Sequence, residues 1–501
     1  MVFEQFVHGL SIVLSVKTLG YLLLGILAGI FVGAIPGIGP TIGMVILLPF
    51  TLLIEPIHGI VFLVAIFNGS MYGSSIPAIL LNTPGAAGSA ATTFDGYELS
   101  KQGEAAAALS TSAVSSAFGG LIASVVVMVL TPFLVPIVLM FGSPEYFLIA
   151  FLGLVLITVV TEGSMTKGIV AGAIGVLLTT VGVATTGATR YTFGLLGLYN
   201  GVSFIAVLIG LFAVTEMVRL SEKQSMIAEQ AVEITGDKYV GFRQLLAHPW
   251  LVIKSSLIGV GIGSLPGSGA SVSNFVAYAE AIRSLPSIEF RTGVLEGVIA
   301  PEASNNATVS GALVPTLSFG IPGSGATAVL LGGLLMMGIR PGPPLFRNQL
   351  HLTYAIYLTL FIGGLMILVI GTTLVTRLGF VTMMDTDRII PLIVVLSTLG
   401  AIALRNNWID VLTVMGTGIL GYYLIEHDYS IIALVLGAVL GSTVERNFLR
   451  SLQVVDGGPW MIFVSSPIAI VLTLAIVFLL VSSNYRTVLN LAKLVSRGDP
   501  E

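Results

Sequence analysis

Apolar runs approaching or reaching the length that crosses a bilayer, roughly 17 to 25 residues, recur from one end of this chain to the other, and Pro and Gly interrupt several of them. They cover Leu19–Ile35, Ile57–Phe67, Leu109–Leu130, Phe147–Val160, Ile169–Val183 and Val202–Val218. After a polar interval come Trp250–Leu265, Val294–Ser318, Ala326–Ile339, Leu352–Val375, Ile389–Leu404, Ile409–Ile425, Ile431–Val444 and Met461–Val481. A lipid-facing segment must satisfy its own backbone groups, which a single helix does. The expected fold class is an all-α polytopic membrane protein with about 10 to 14 transmembrane spans.

Charge supports this reading and removes other classes. Only 9 % of the 501 residues are charged, 21 Lys+Arg against 25 Asp+Glu, where a soluble protein carries about 25 %. The net charge of -4 comes with no basic face for nucleic acid. Cys is absent, which excludes a disulfide scaffold and thiolate chemistry. The N-terminus has no cationic region followed by a small-residue cleavage site, so residues 1–17 read as a short surface segment leading into the first span.

The one sizeable polar interval, Arg219–His248, holds Arg219, Lys223, Lys238 and Arg243, and the positive-inside rule places it in the cytoplasm. The tail, with Arg486, Lys493 and Arg497, reads the same way. Trp250, Trp408 and Trp460 each open an apolar run beside a polar break, the position of interfacial anchors. The expected organisation is a first repeat over 1–218, a cytoplasmic linker over 219–249, a second repeat over 250–450, and an extra span with a tail over 451–501.

The two halves resemble each other. Gly33-Ala-Ile-Pro-Gly-Ile-Gly39 recurs 230 residues later as Gly263-Ser-Leu-Pro-Gly-Ser-Gly269. Asn68-Gly-Ser-Met-Tyr-Gly-Ser-Ser-Ile-Pro77, running on to Thr83-Pro-Gly85, recurs 238 residues later as Asn306-Ala-Thr-Val-Ser-Gly-Ala-Leu-Val-Pro315 and Ile321-Pro-Gly323. Matched glycines say little in a chain with 59 of them, but Pro is only 22 of 501 residues. With linker and tail both cytoplasmic and the last span unpaired, each repeat holds an odd number of spans. The copies are then inverted, although Arg446 and Arg450 fall on the outer side in that scheme.

Helix breaks at membrane depth are costly unless the freed backbone is buried in protein or lines a watery cavity. Here Pro36-Gly37-Ile-Gly39, Pro77 and Pro84-Gly85 are matched by Pro266-Gly267-Ser-Gly269, Pro315 and Pro322-Gly323. Such matched interruptions point to the substrate site of a repeat-built secondary transporter. Half-helix N-termini suit an anion, and carbonyl ends suit Na⁺. Uncharged donors and acceptors nearby are Asn68, Ser70, Ser74, Ser75, Asn82 and Thr83, and in the second half Asn305, Asn306, Thr308, Ser310, Ser318 and Ser324, with Gly320 between. The expected substrate site comprises these and the Pro and Gly of the breaks. A coupling Na⁺ is expected near Gly37, Asn68, Gly267, Asn305 and Asn306. Glu302, just before the second Asn motif, is a candidate for a coupling cation or proton. Glycosylation at Asn68-Gly-Ser70 or Asn306-Ala-Thr308 is set aside because both lie within or beside apolar runs.

The runs Gly33-Ala-Ile-Pro-Gly-Ile-Gly-Pro40, Tyr72-Gly-Ser-Ser-Ile-Pro-Ala-Ile-Leu-Leu-Asn-Thr-Pro-Gly85, Phe94-Asp-Gly-Tyr97, Pro301-Glu-Ala-Ser-Asn-Asn-Ala307 and Phe319-Gly-Ile-Pro-Gly323 resemble the large membrane subunit of tripartite tricarboxylate transporters, over essentially the whole chain. The resemblance implies a multi-pass carrier of the bacterial inner membrane. It also implies two partners, a small membrane subunit of about four helices and a periplasmic solute-binding protein. Implied too are di- and tricarboxylate substrates such as citrate, and drive by a Na⁺ or H⁺ gradient through alternating access, with no other cofactor. The matched breaks hold no Arg to clamp a carboxylate, so Arg190, Arg340 or Arg405 would have to reach in.

Other classes fare worse. No G-x-x-x-x-G-K-[ST] occurs, and the Gly-x-Gly pieces at Gly37, Gly267 and Gly323 do not open the helix of a βαβ unit. The histidines His8, His58, His248, His351 and His427 are scattered, so no enzymatic set is evident. The alternative that stays open is a permease or channel subunit for another small solute, without ion coupling.

Overall fold

The computed structural model describes every residue except 1, 161–164, 185, 223–233, 235, 236, 238, 268, 375–390, 392, 393, 396, 397, 403, 404 and 497–501. Lys223, Lys238, Arg497 and much of the run expected over 389–404 therefore lie outside the described residues.

Among the described residues, seven helices are long and apolar enough to cross a membrane, and an eighth is counted if Val240–Ala247 and Pro249–Gly263, bent by 86°, form one span. Shorter apolar helices, among them Gly39–Leu53, Met165–Thr179 and Gly325–Met336, accompany them. The protein is an all-α polytopic membrane protein; among the described residues the strands form one short hairpin, Gly182–Val183 with Thr189–Arg190. Contacts divide the chain into two compact units, 1–136 with 203–422 and 137–202 with 423–501. This division by packing runs across the division by sequence repeat.

In the second unit, helices Met165–Thr179 and Ile431–Val454 cross through glycine. A Cβ on Gly175 would strike the carbonyl oxygen of Leu434, and one on Gly437 that of Gly172. Arg190 pairs with Glu445 at 3.0 Å.

The larger unit holds all the matched motifs, and its packing repeats with them. Helix Val16–Gly33 crosses Pro56–Gly73 so closely that a Cβ on Gly29 would meet the carbonyl oxygen of Ile66, one on Gly33 that of Ser70, and one on Gly73 that of Ile30. Helix Pro249–Gly263 crosses Glu296–Phe319 with Gly259 on Ser304, Gly263 on Thr308 and Gly311 on Val260. Every residue in the second set is its first-set counterpart advanced by 230 or 238. Small residues let helix backbones approach where lipid offers no hydrophobic drive for association. This use accounts for much of the glycine excess.

The breaks repeat as well. Gly37 and Gly267 have φ of 84° and 80°, Gly39 and Gly269 of 57° and 61°, and Asn82 and Gly320 of 54° and 69°. Left-handed backbone is open to Gly and tolerated by Asn. Pro315 differs from its counterpart. Helix Glu296–Phe319 continues through Pro301 and Pro315, whereas the first-half helix is interrupted at Ser74, between Pro56–Gly73 and Ser75–Leu81. Almost every residue from Gly297 to Ser318 is buried, and a packed environment lets a membrane helix carry an internal Pro. Pro315 therefore marks no break. The N-terminal stretch forms helix Val2–Val13, mostly exposed or half-buried, with Phe6 edge-on to Tyr354 and a Cβ on Gly9 barred by His351 and Ala355.

Candidate functional site

In each half the two Pro-Gly breaks meet. The Gly85 N–H donates to Ser74 O at 3.0 Å, and a Cβ on Gly85 would strike the carbonyl of Gly33. In the second half the Gly267 N–H donates to Gly323 O at 3.1 Å, and a Cβ on Gly323 would lie 3.2 Å from the carbonyl of Gly263. The halves also interlock. Gly88, just past the first-half break, sits against Ala270 at the start of helix Gly269–Ser284, and Gly325 sits against Thr41 at the start of helix Gly39–Leu47. At the centre Asn306 Nδ2 donates to Asn68 Oδ1 at 3.0 Å and to Asn68 O at 3.3 Å. These two residues are repeat counterparts. Counterparts that touch lie on the axis relating the copies, so the pseudo-symmetry axis passes between them.

A cavity of about 350 Å³ opens at the first-half breaks, lined by Gly37–Ile42, Pro84–Ala87, Phe212, Glu216 and Arg219. Helix Gly39–Leu47 starts here with no side chain capping it, so its free N–H groups and positive dipole end are available. In the second half, helix Gly325–Met336, which follows Pro322-Gly323, carries instead a reciprocal capping box of Ser324 and Thr327. Phe212 belongs to a π-helical stretch, Ile209–Val214, held by Thr215 Oγ1 donating to Gly418 O at 2.9 Å. Such stretches are frequent at functional sites. They turn Phe212, Glu216 and Arg219 toward the breaks, and Arg219 pairs with Glu216 at 3.1 Å.

Arg219 is the residue that sequence reasoning missed. In the sequence it reads as the first charge of the cytoplasmic linker; in the structure it stands on helix Thr215–Glu222 and lines the cavity. The cations expected to reach in are placed elsewhere. Arg405 is held by both carboxylate oxygens of buried Asp410, at 3.0 and 2.7 Å. Arg190 lies in the other compact unit. Arg340 is exposed, two residues before Gly342, whose N–H donates to Leu317 O.

Of the expected site residues, Gly37, Gly39, Pro84 and Gly85 line this cavity. The hydroxyls and amides are mostly taken up inside the protein. Ser74 and Ser75 reach Ser89 at 2.5 and 3.1 Å, Thr83 donates to Leu81 O, Thr308 meets Ser273 at 2.7 Å, and Ser310 meets Ser124 at 3.3 Å. Asn305 donates to Met71 O at 2.9 Å and accepts from Asn274, which also donates to Gly88 O. Ser318 is buried. Among the expected site residues described, Ser70 Oγ and Asn306 Oδ1 are buried without a hydrogen-bond partner.

Two acidic residues tie the halves together. Asp95, fully buried, accepts from Tyr278 at 2.7 Å and from the backbone N–H groups of Arg291, Gly293 and Val294 at 2.8 to 3.1 Å. The first half thus anchors the loop leading into helix Glu296–Phe319. Glu302, also fully buried, accepts from Thr92 at 2.5 Å, Ser116 at 2.7 Å and Ser112 at 3.0 Å.

The fold and these paired breaks define a multi-pass membrane protein built from interlocked repeats, the architecture of a solute carrier. The model of the tripartite tricarboxylate transporter TctA family matches residues 19–436, and the chain belongs to this family, a membrane transporter component. It is 34 % identical over 436 residues, 84 % of each chain, to a protein of Agrobacterium vitis described as "Uncharacterized 52.8 kDa protein in TAR-I ttuC' 3'region". A second protein of that organism, "Uncharacterized protein in TAR-II ttuC' 3'region", is 33 % identical over 209 residues, 42 % of this chain and 86 % of the relative. No solved structure matches the chain. A tripartite system implies further subunits.

Proposed function

We propose that the protein is the ion-gradient-driven membrane subunit of an importer of citrate-like di- and tricarboxylates in the bacterial inner membrane. In this reading it works with a small membrane subunit and takes its solute from a periplasmic binding protein. The observation that carries the proposal is the cavity at the first-half breaks. It combines an uncapped helix N-terminus with Arg219, the two groups that recognise a carboxylate. Glu216 holds the guanidinium when no solute is bound, and an entering carboxylate takes its place. The cavity can hold a small acid, because Gly37 and Gly39 put backbone where side chains would face Glu216 and Ala86 of its lining. The inverted arrangement expected of the copies would let one half open as the other closes, giving alternating access about the Asn68–Asn306 axis.

The test is uptake of labelled citrate into proteoliposomes containing this protein, its small partner and the binding protein. The wild type accumulates citrate only with an ion gradient. Arg219→Gln raises the half-saturating concentration on the order of 10- to 100-fold, from the loss of one charged hydrogen-bond partner. Uptake that persists with all gradients collapsed overturns the secondary-transport reading, and an unchanged half-saturation for Arg219→Gln overturns the site.

A further inference from the structure

Glu302 is a carboxyl group at 0 % exposure in the middle of a helix, and among the described residues no cation pairs with it. An unpaired charge so placed is expensive, and intramembrane ionisable residues are retained for function. Its neighbours are hydroxyls: Thr92 on Oε1, Ser112 and Ser116 on Oε2, with Ser75 close by. We propose that Glu302 is the residue that binds and releases the coupling proton of this transporter, an assignment that rests on the transport reading above.

Three features carry it. A hydroxyl donates or accepts by rotating. The shell therefore serves both states: the hydroxyls donate to a carboxylate, and Thr92 Oγ1, 2.5 Å away, accepts from the acid. A metal ion is a poorer occupant. Hard cations of Ca²⁺ size hold oxygens about 2.3–2.6 Å from the ion, which spreads the ligands apart, whereas here the hydroxyl oxygens lie directly on the carboxylate at 2.5 to 3.0 Å. Lastly, the hydroxyls come from separate pieces of chain. Ser75 follows the helix interruption, Thr92 follows the first-half break, and Ser112 and Ser116 stand on helix Ala105–Leu139. A movement of the break segment against helix Glu296–Phe319 changes how many hydroxyls solvate the anion, and so its hold on the proton. In each cycle the carboxylate takes a proton from hydronium on one side, forming an O–H bond and releasing water. It returns that proton to water on the other side.

The surrounding titratable groups leave this role to Glu302. Tyr72, buried on helix Pro56–Gly73, is the phenol that feels its charge. Asp95 is turned to Tyr278 and the loop at 291–294. On helices 249–263 and 269–284, Lys254, Glu280 and Arg283 pair with one another. Helix Ala105–Leu139 carries no charged side chain. On helix Leu350–Thr373, His351 stacks on His8, and Tyr354 meets Phe6 edge-on.

The test combines infrared difference spectra of the purified protein with transport. The carbonyl stretch of a buried protonated carboxyl is expected at neutral pH, lost on alkalinisation, missing in Glu302→Gln and shifted in Glu302→Asp. In proteoliposomes containing both partners, Glu302→Gln is expected to keep citrate exchange and to lose accumulation driven by a pH gradient. The proposal is overturned if the band is absent, if Glu302→Gln leaves it unchanged, or if Na⁺ at fixed pH removes it. Full pH-driven accumulation by Glu302→Gln overturns it too. Absence of uptake by the wild type would instead sink the transport reading, while the spectra still decide the state of Glu302.

Discussion

The Asn68–Asn306 contact can be broken from either side, and the structure sets the size of the effect. In Asn68→Leu, a substitution close in shape, Asn306 Nδ2 loses its 3.0 Å acceptor and keeps only the Asn68 carbonyl at 3.3 Å. The lost bond is worth about 1 kcal/mol and the half-satisfied buried amide costs about 1 kcal/mol more. The bond from Asn68 to Leu360 O, at 3.3 Å, adds little, because that carbonyl belongs to a continuous helix. Asn306→Leu leaves Asn68 Oδ1 without its donor, for about 1–2 kcal/mol. The double variant has neither amide and so no orphaned group. It should be more stable than the sum of the singles by about 1 kcal/mol, within the range found for polar pairs in membrane helices. Reversible unfolding in mixed micelles, as a double-mutant cycle, measures this. Singles that add to within about 0.3–0.5 kcal/mol would refute the pairing, and with it the position of the axis. The same variants locate the substrate. Neither residue lines the cavity at Arg219, so folded double variant should keep the wild-type half-saturation for citrate. A raised half-saturation at unchanged stability would return these amides to the binding site.

Asp95→Ala deprives three backbone N–H groups and the Tyr278 hydroxyl of their acceptor. Partly buried as these are, about 3–6 kcal/mol should be lost, read as a lower unfolding midpoint in detergent, and Asp95→Asn should recover part of it. At the surface, the Lys17 ammonium 2.6 Å away holds the Glu55 carboxyl below its ordinary range. The linked stability is therefore present above the ordinary carboxylate pKa and is lost as pH falls through the lowered one. Lys17→Ala should raise the Glu55 titration, followed by nuclear magnetic resonance, and leave the neutral-pH unfolding midpoint in place, since both side chains are more than half exposed.

The repeat was legible because it is written in residues with backbone consequences. Pro36, Gly37, Pro84 and Gly85 recur with their counterparts, and the structure shows matched left-handed φ at Gly37 and Gly267. Asn82 and Gly320 share that conformation with different side chains, so their kinship follows only from register. Pro315 misleads because helix Glu296–Phe319 carries it in its interior, as it does Pro301, without interruption. Arg219 was hidden too. Beside Lys223 and Lys238 it reads as a cytoplasmic charge, and nothing local reveals that a π-helical stretch brings it to the breaks.

What the amino-acid sequence determined alone is the membrane, the helices, the duplication and the Pro-Gly breaks. These follow from hydropathy over a span and from the dihedral limits of Pro and Gly, which act within a few residues. Only the tertiary structure decided which polar groups face one another. Asn68 meets Asn306 across 238 positions, and Glu302 gathers hydroxyls from more than 180 positions away. In a low-dielectric interior a polar group must find a partner, but which one it finds depends on helix crossings that no local pattern encodes. The candidate anion site is therefore a product of packing, with Arg219 and the start of helix Gly39–Leu47 on one cavity.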